Sequence, residues 1–230
     1  EVERLVIHRH VYAKEAYLPM EGGCQDPVYN TWQILHMRKV FMEKIGITRD
    51  NQDGSGSSNS AQTHSTKPVM LVIKRSSKSR HTRNGHDLVR QWSDVFANRL
   101  LEALQLRFPS YRVELFSDRD EHLMQCYTCQ IQKFASAKVL IGVHGAGLGN
   151  MVYMQPNSAV VELAPYGNDA SCLLGSGPFS RAASVLSHNY MMHQPPTDEY
   201  VWDTGDSSAE FDINRFVEHI DSFLRSIQFS

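Results

Sequence analysis

Cysteine is scarce: Cys24, Cys126, Cys129 and Cys172 are the only four in 230 residues, too few for a disulfide-built scaffold and wrongly spaced for a zinc finger. Cys126-Tyr-Thr-Cys129 has redox spacing. It falls inside a stretch read as helical rather than at a strand end, so a local disulfide or buried thiols fit better than thioredoxin-like chemistry. No apolar run approaches the roughly 20 residues that cross a bilayer. The start, Glu-Val-Glu-Arg, carries neither an initiator Met nor a signal-peptide pattern. Any membrane anchor is therefore expected outside this chain, which reads as the C-terminal part of a longer polypeptide. Charge of one sign is also lacking: the formal net charge is -2, which gives no basic field for nucleic acid and leaves an anion site to local groups.

Three common catalytic signatures are missing too. No Gly-Lys-Ser/Thr closes a phosphate loop, no G-x-G-x-x-G follows the first strand, and no Gly-x-Ser-x-Gly elbow supplies a nucleophile. A P-loop ATPase, a dinucleotide-dependent dehydrogenase and a hydrolase are disfavoured on these grounds.

What is present is a 41% hydrophobic chain, long enough for one sizeable core and a fragment of a second. Residues 1–49 read as the end of an N-terminal domain with a connecting helix. Ile34, Met37, Phe41 and Ile45 recur there at helical intervals, and Gly46 stands where the helix would stop. Residues 50–67 contain no large apolar side chain and read as a flexible low-complexity linker or insertion. Residues 68–230 form the main domain, in which strand and helix patterns alternate.

Val69 to Ile73, Tyr111 to Phe116, Lys138 to Val143 and Ala159 to Leu163 read as strands. Helices are expected with Leu88, Trp92, Val95, Phe96, Leu100 and Leu104 on one face, from about Arg119 to Ser136, near Leu148 to Met154, within 169 to 187, and from Ile213 to Ile227. The alternation predicts an α/β fold with a Rossmann-like, doubly wound parallel sheet.

In such sheets ligands lie beyond the carboxyl ends of the strands, where backbone amides point outward. His144-Gly145-Ala146-Gly147-Leu148-Gly149 occupies such a turn after the third strand of the main domain. Gly145 and Gly147 would let the main chain approach phosphate oxygens, and a following helix would present its positive end. His144 could donate a hydrogen bond to a phosphate or a sugar hydroxyl, or it could only fix the turn. Lys74, Arg75, Lys78, Arg80 and Arg83 cluster after the first strand, on the same edge of the sheet. They read as partners for an anion or as a solvated basic turn.

Glu162 closes the apolar run of the next strand, where it could accept ribose hydroxyls or be a partly exposed strand-end acid. Asp118-Arg119-Asp120 has the D-x-D form of a metal holder, but it sits just before a helix, where short acids cap free amides. His188 and His193 lie beside no carboxylate or thiol pattern and are not read as a zinc site.

The run from Val139 to Asn150, followed by Met154-Gln155-Pro156 and Val161-Glu162-Leu163, resembles glycosyltransferase family 61. Arg75-Ser76, Arg80 and Asn84 agree with the family's basic stretch, and Gly23-Cys24-Gln25 with its Gly-Cys segment. The likeness spans residues 20 to 220 and is patchy over 50 to 67 and beyond 190. It implies the C-terminal half of a two-domain GT-B-type enzyme that transfers a sugar with inversion from a UDP-sugar to a glycoprotein or polysaccharide hydroxyl. The donor sugar would be N-acetylglucosamine or a pentose such as xylose, and the compartment the Golgi or endoplasmic reticulum lumen.

The resemblance implies no obligatory metal or other cofactor. Arginines and backbone amides would stabilise the departing diphosphate instead. Arg75, Arg80, His144, Gly145, Ala146, Gly147, Leu148, Asn150 and Glu162 would line the donor site, while the catalytic base is left unassigned, the N-terminal domain being one place for it. Gly149 stands where relatives commonly carry Thr. The competing reading is a catalytically inactive nucleotide-sugar-binding or scaffold module.

Overall fold

Val69–Lys74 (β1) is buried at every position, as expected of a run of branched side chains covered on both faces. It pairs in parallel with Arg112–Ser117 (β4) on one side and with Ala137–Val143 (β5) on the other. Ala159–Leu163 (β6) continues the sheet from β5, and Asn189–His193 (β7) closes it, both in parallel. The computed structural model describes residues 31–44, 46, 67–74, 81–83, 86–88, 92–163, 178–193 and 211–227. Within them the sheet order is β4-β1-β5-β6-β7. Counted in chain order along this sheet, that is 2-1-3-4-5, whose direction of winding reverses between β1 and β5. A separate antiparallel hairpin pairs His81–Arg83 (β2) with His86–Leu88 (β3).

The strict alternation of side chains sorts the core into two layers. Met70, Val72, Val139, Ile141, Val161 and Leu163 face helices Asp94–Arg107 (α2) and Ile213–Ser226 (α6), which bury Leu100, Leu104, Phe216 and Ile220 against them. Leu71, Ile73, Leu140 and Val160 face the opposite way. They lie in the layer that includes Ile34 and Met42 of Thr31–Lys44 (α1), Ile131 and Phe134 of Tyr127–Ala135 (α4), and Ala183 of Pro178–Val185 (α5). The 3-10 helix Ala146–Tyr153 belongs to this second layer. Among the described residues no helix is long and apolar enough to cross a membrane.

The structure departs from the sequence pattern in five places. The expected strand, helix, strand alternation is present, but β7 was not among the expected strands. It is an edge strand of Asn-Tyr-Met-Met-His, without the branched run that marks the central strands. The helix expected to include Leu88 and Trp92 starts only at Asp94, because the Ser93 hydroxyl accepts from the Phe96 amide at 3.0 Å and fixes the start there. Leu88 belongs to β3 instead. The helix expected from Arg119 to Ser136 is two, Glu121–Gln125 (α3) and α4, with Cys126 ending one and capping the next.

The helix expected near Leu148 to Met154 is of the tighter 3-10 form and begins earlier. In α1, Met42 is buried while Met37 is exposed, so the inward stripe is rotated from the one expected. Gly46 does stop α1's turn as expected: it takes φ 74° and its amide donates to Glu43 O at 3.1 Å, a conformation that glycine adopts without a Cβ penalty. The low-complexity stretch 50–66 lies outside the described residues.

Candidate functional site

His144 leaves the sheet directly after β5, and its backbone amide donates to Leu163 O at 3.0 Å. The β5–β6 ladder thus runs one residue past the strand and fixes the entry to the glycine turn. Ala146 begins the 3-10 helix. The first turn bond runs from the Leu148 amide to Gly145 O at 3.0 Å, so the amides of Ala146 and Gly147 precede the helix's own ladder. Asn150 Nδ2 donates to Gly147 O at 3.1 Å and braces the turn from inside.

Gly147 lies against the end of β1. A Cβ there would stand 3.2 Å from Ile73 Cγ2, closer than such contacts normally come. Leu148 is fully buried, and its side chain packs beside Gly142, where a Cβ would meet Leu148 Cδ2 at 3.3 Å. Leu148 therefore supplies core and backbone rather than a lining side chain. Gly149 is exposed, and a Cβ there would meet nothing within 4 Å.

The partner of His144 was not foreseen. Glu162 is 2% exposed, buried rather than at a solvated strand end. Its Oε1 takes the His144 Nδ1 and its Oε2 accepts the Tyr190 hydroxyl. The His144 and Phe179 rings meet in a T-shaped contact at a centroid distance of 5.2 Å. Burial, reinforced by the neighbouring Glu162 carboxylate, pushes the Tyr190 hydroxyl far above its ordinary ionisation range, so it remains a donor. Tyr190 belongs to β7, which the sequence pattern did not reveal. The signal that could have found it is the alternation of Tyr190 and Met192 with Met191 and His193 across two faces.

The turn is held from below by aromatic contacts. The hydroxyls of Tyr127 and Tyr153 are 2.6 Å apart, and Phe41 meets both rings edge-on, at 6.1 and 5.9 Å. Tyr127 sits between Cys126 and Cys129, which form a disulfide. The expectation of a local bridge holds there.

Lys74 ends β1 on the same edge of the sheet, 4% exposed, and is ion-paired with Asp94 at the start of α2. Arg119 reaches the other oxygen of Asp94 at 3.3 Å. Arg75, Lys78 and Arg80 lie outside the described residues, while Arg83 belongs to the β2 strand. Because β1 and β5 are parallel neighbours, Lys74 and His144 stand at the same edge of the sheet.

The other candidates have structural partners. Asp120 caps α3, its carboxylate accepting from the Leu123 amide at 3.0 Å. The His188 ring bonds Met151 O through Nε2 at 3.0 Å. Burial chiefly, with the Arg38 and Lys138 charges adding to it, lowers His188 from 6.5 to about 4. The Nδ1 atoms of His193 and His219 are 3.0 Å apart. Burial and His219 also bring His193 to about 4.

The sequence is similar to that of a known glycosyltransferase. Protein O-linked-mannose beta-1,4-N-acetylglucosaminyltransferase 2 of Takifugu rubripes is 27% identical over 134 residues, which cover 58% of this chain and 20% of that protein. The chain thus spans about a fifth of the length of this relative. Residues 2–161 match the family Glycosyltransferase 61. A match over this much of the chain, ending in β6 beyond the glycine turn, places the protein in the glycosyltransferase 61 family.

Proposed function

We propose that this chain is the nucleotide-sugar-binding half of an inverting GT-B-type glycosyltransferase. It holds a UDP-sugar while N-acetylglucosamine, or a pentose such as xylose, passes to a hydroxyl of a glycoprotein or polysaccharide acceptor. The observation that carries this reading is the place of the glycine turn. It follows β5 at the β1/β5 reversal of a 2-1-3-4-5 sheet, where α/β folds bind their ligands, and its leading amides lie ahead of the turn's first hydrogen bond.

His144, Gly145, Ala146, Gly147 and Asn150 form that side of the donor site, with Leu148 beneath it. Arg75 and Arg80 complete it from the segment after Lys74, their guanidinium groups suited to two-pronged contact with phosphate. Charge that develops on the departing diphosphate is stabilised by these fixed donors, without an obligatory metal. No residue of this chain is assigned as the base that takes the acceptor proton. A secretory-pathway lumen, Golgi or endoplasmic reticulum, suits the name of the relative and the Cys126–Cys129 disulfide.

The test is calorimetric titration of the full-length protein with UDP, alongside a UDP-sugar turnover assay. His144→Ala and Arg80→Ala should each weaken UDP binding by about tenfold or more with the fold intact. Unchanged affinity in both would remove these residues from the site. UDP binding without turnover of any UDP-sugar would make the protein a binding module.

A further inference from the structure

Among the described residues Glu162 is the most deeply buried carboxylate, and both of its oxygens are engaged by named side chains. A carboxylate acts only as an acceptor, so both partners must present protons to it. The Tyr190 hydroxyl does so at Oε2, and at Oε1 it is His144 Nδ1 that must carry its hydrogen. The tautomer of His144 is thereby set, and the nitrogen left for other work is Nε2. No described residue hydrogen-bonds that atom, whereas the ring itself is pinned by Glu162 and by Phe179.

A buried carboxylate also requires a compensating charge. Tyr190 is neutral, and of the two partners only the imidazole can supply a cation. A diphosphate at the glycine turn draws the ring the same way, since a second proton on the imidazole creates an Nε2–H donor aimed at an anion.

Resting on the reading of the turn as the donor site, we infer that Glu162 and Tyr190 are positioning residues for His144. They orient the ring and supply the counter-charge with which its Nε2–H binds the diphosphate of the nucleotide sugar. Glu162 then acts through His144, not by taking ribose hydroxyls itself. Tyr190 reaches Glu162 because Val160 pairs with Tyr190 and Glu162 with Met192. This register puts Tyr190 diagonally across from Glu162 on the same face of the sheet.

The experiment uses the full-length protein with nitrogen-15-labelled histidine, observed with and without UDP, and the variants Tyr190→Phe and Glu162→Gln. In the wild-type complex with UDP, both nitrogens of His144 should carry protons. Glu162→Gln should weaken UDP binding by at least about tenfold and remove the doubly protonated ring, and Tyr190→Phe should weaken it by several-fold to about tenfold, as expected for the loss of one hydrogen bond. A merely structural role would lower the melting temperature of the variants and leave the protonation of the ring as in the wild type.

A bare lone pair on Nε2 in the UDP complex, or wild-type UDP affinity in both variants, would overturn this inference and leave the donor site standing. The spectrum of the wild-type complex decides the matter even if a variant does not fold. Absence of UDP binding to the wild type would overturn the reading of the turn and this inference together.

Discussion

On one face of the sheet, α2 and α6 lay Leu100, Leu104, Phe216 and Ile220 over Met70, Val72, Ile141 and Val161. On the opposite face one helix of that length, α1, shares the cover with short pieces, the five-residue α3, the nine-residue α4, the 3-10 helix and α5. Polar contacts are set among their apolar side chains: Tyr127 with Tyr153, His188 with Met151 O, and His144 with Glu162. Long helices with an unbroken apolar stripe maximise burial and so stability. Short ones with internal hydrogen bonds fix where particular backbone atoms lie, at some cost in burial. The first face holds the sheet together, and the second aims the glycine turn.

Three substitutions or conditions test that division. The largest effect should come from the first face. Phe216→Ala removes a fully buried ring between α6 and the sheet, and unfolding free energy in urea should fall by about 3 to 5 kcal/mol. A loss below about 1 kcal/mol would mean that the α2–α6 layer is not the main source of stability.

Next comes acid. His188 on the second face is held near pKa 4 when folded, against an ordinary 6.5. Between these values the unfolded chain binds a proton that the folded one refuses. Stability is therefore complete above pH 6.5 and is lost as pH falls toward 4, by about 1.4 kcal/mol per pH unit and about 3 kcal/mol in all for this group. His193, at the other face, acts in the same sense. Urea denaturation at a series of pH values should accordingly show a slope that His188→Gln reduces but does not abolish. An unchanged slope would refute the assignment.

The smallest change in stability should come from Tyr153→Phe, which removes the hydroxyl pairing with Tyr127 at 2.6 Å and should cost about 1 kcal/mol. If the second face positions the turn, UDP affinity should fall in this variant although Tyr153 lies beneath the site. Phe216→Ala, measured at a temperature where it stays folded, should bind UDP as the wild type does. The reverse pattern would break the comparison.

The strands at the centre of the sheet were legible in the sequence because a continuous branched run such as Val69 to Ile73 is characteristic of a strand buried on both faces. The edge strand β7 was not, since Asn-Tyr-Met-Met-His has weak strand preference and forms only where β6 offers it a partner. Glycines at 145 and 147 disclosed the turn, and its chemistry pointed to His144. The Glu162–Tyr190 support stayed hidden because it depends on the β6–β7 register, and a single sequence does not display register. Cys126 broke an apparently continuous helix for a related reason: its backbone closes one helix while its sulfur bridges to Cys129 in the next.

Gly147 rests on Ile73, a side chain that is 6% exposed and ends the layer of β1 facing the turn. The height of the glycine turn's backbone is therefore set by a buried residue. Trimming or enlarging that side chain would lower or raise the platform without changing any residue of the turn itself, so a grip of the proposed kind would be adjustable from underneath.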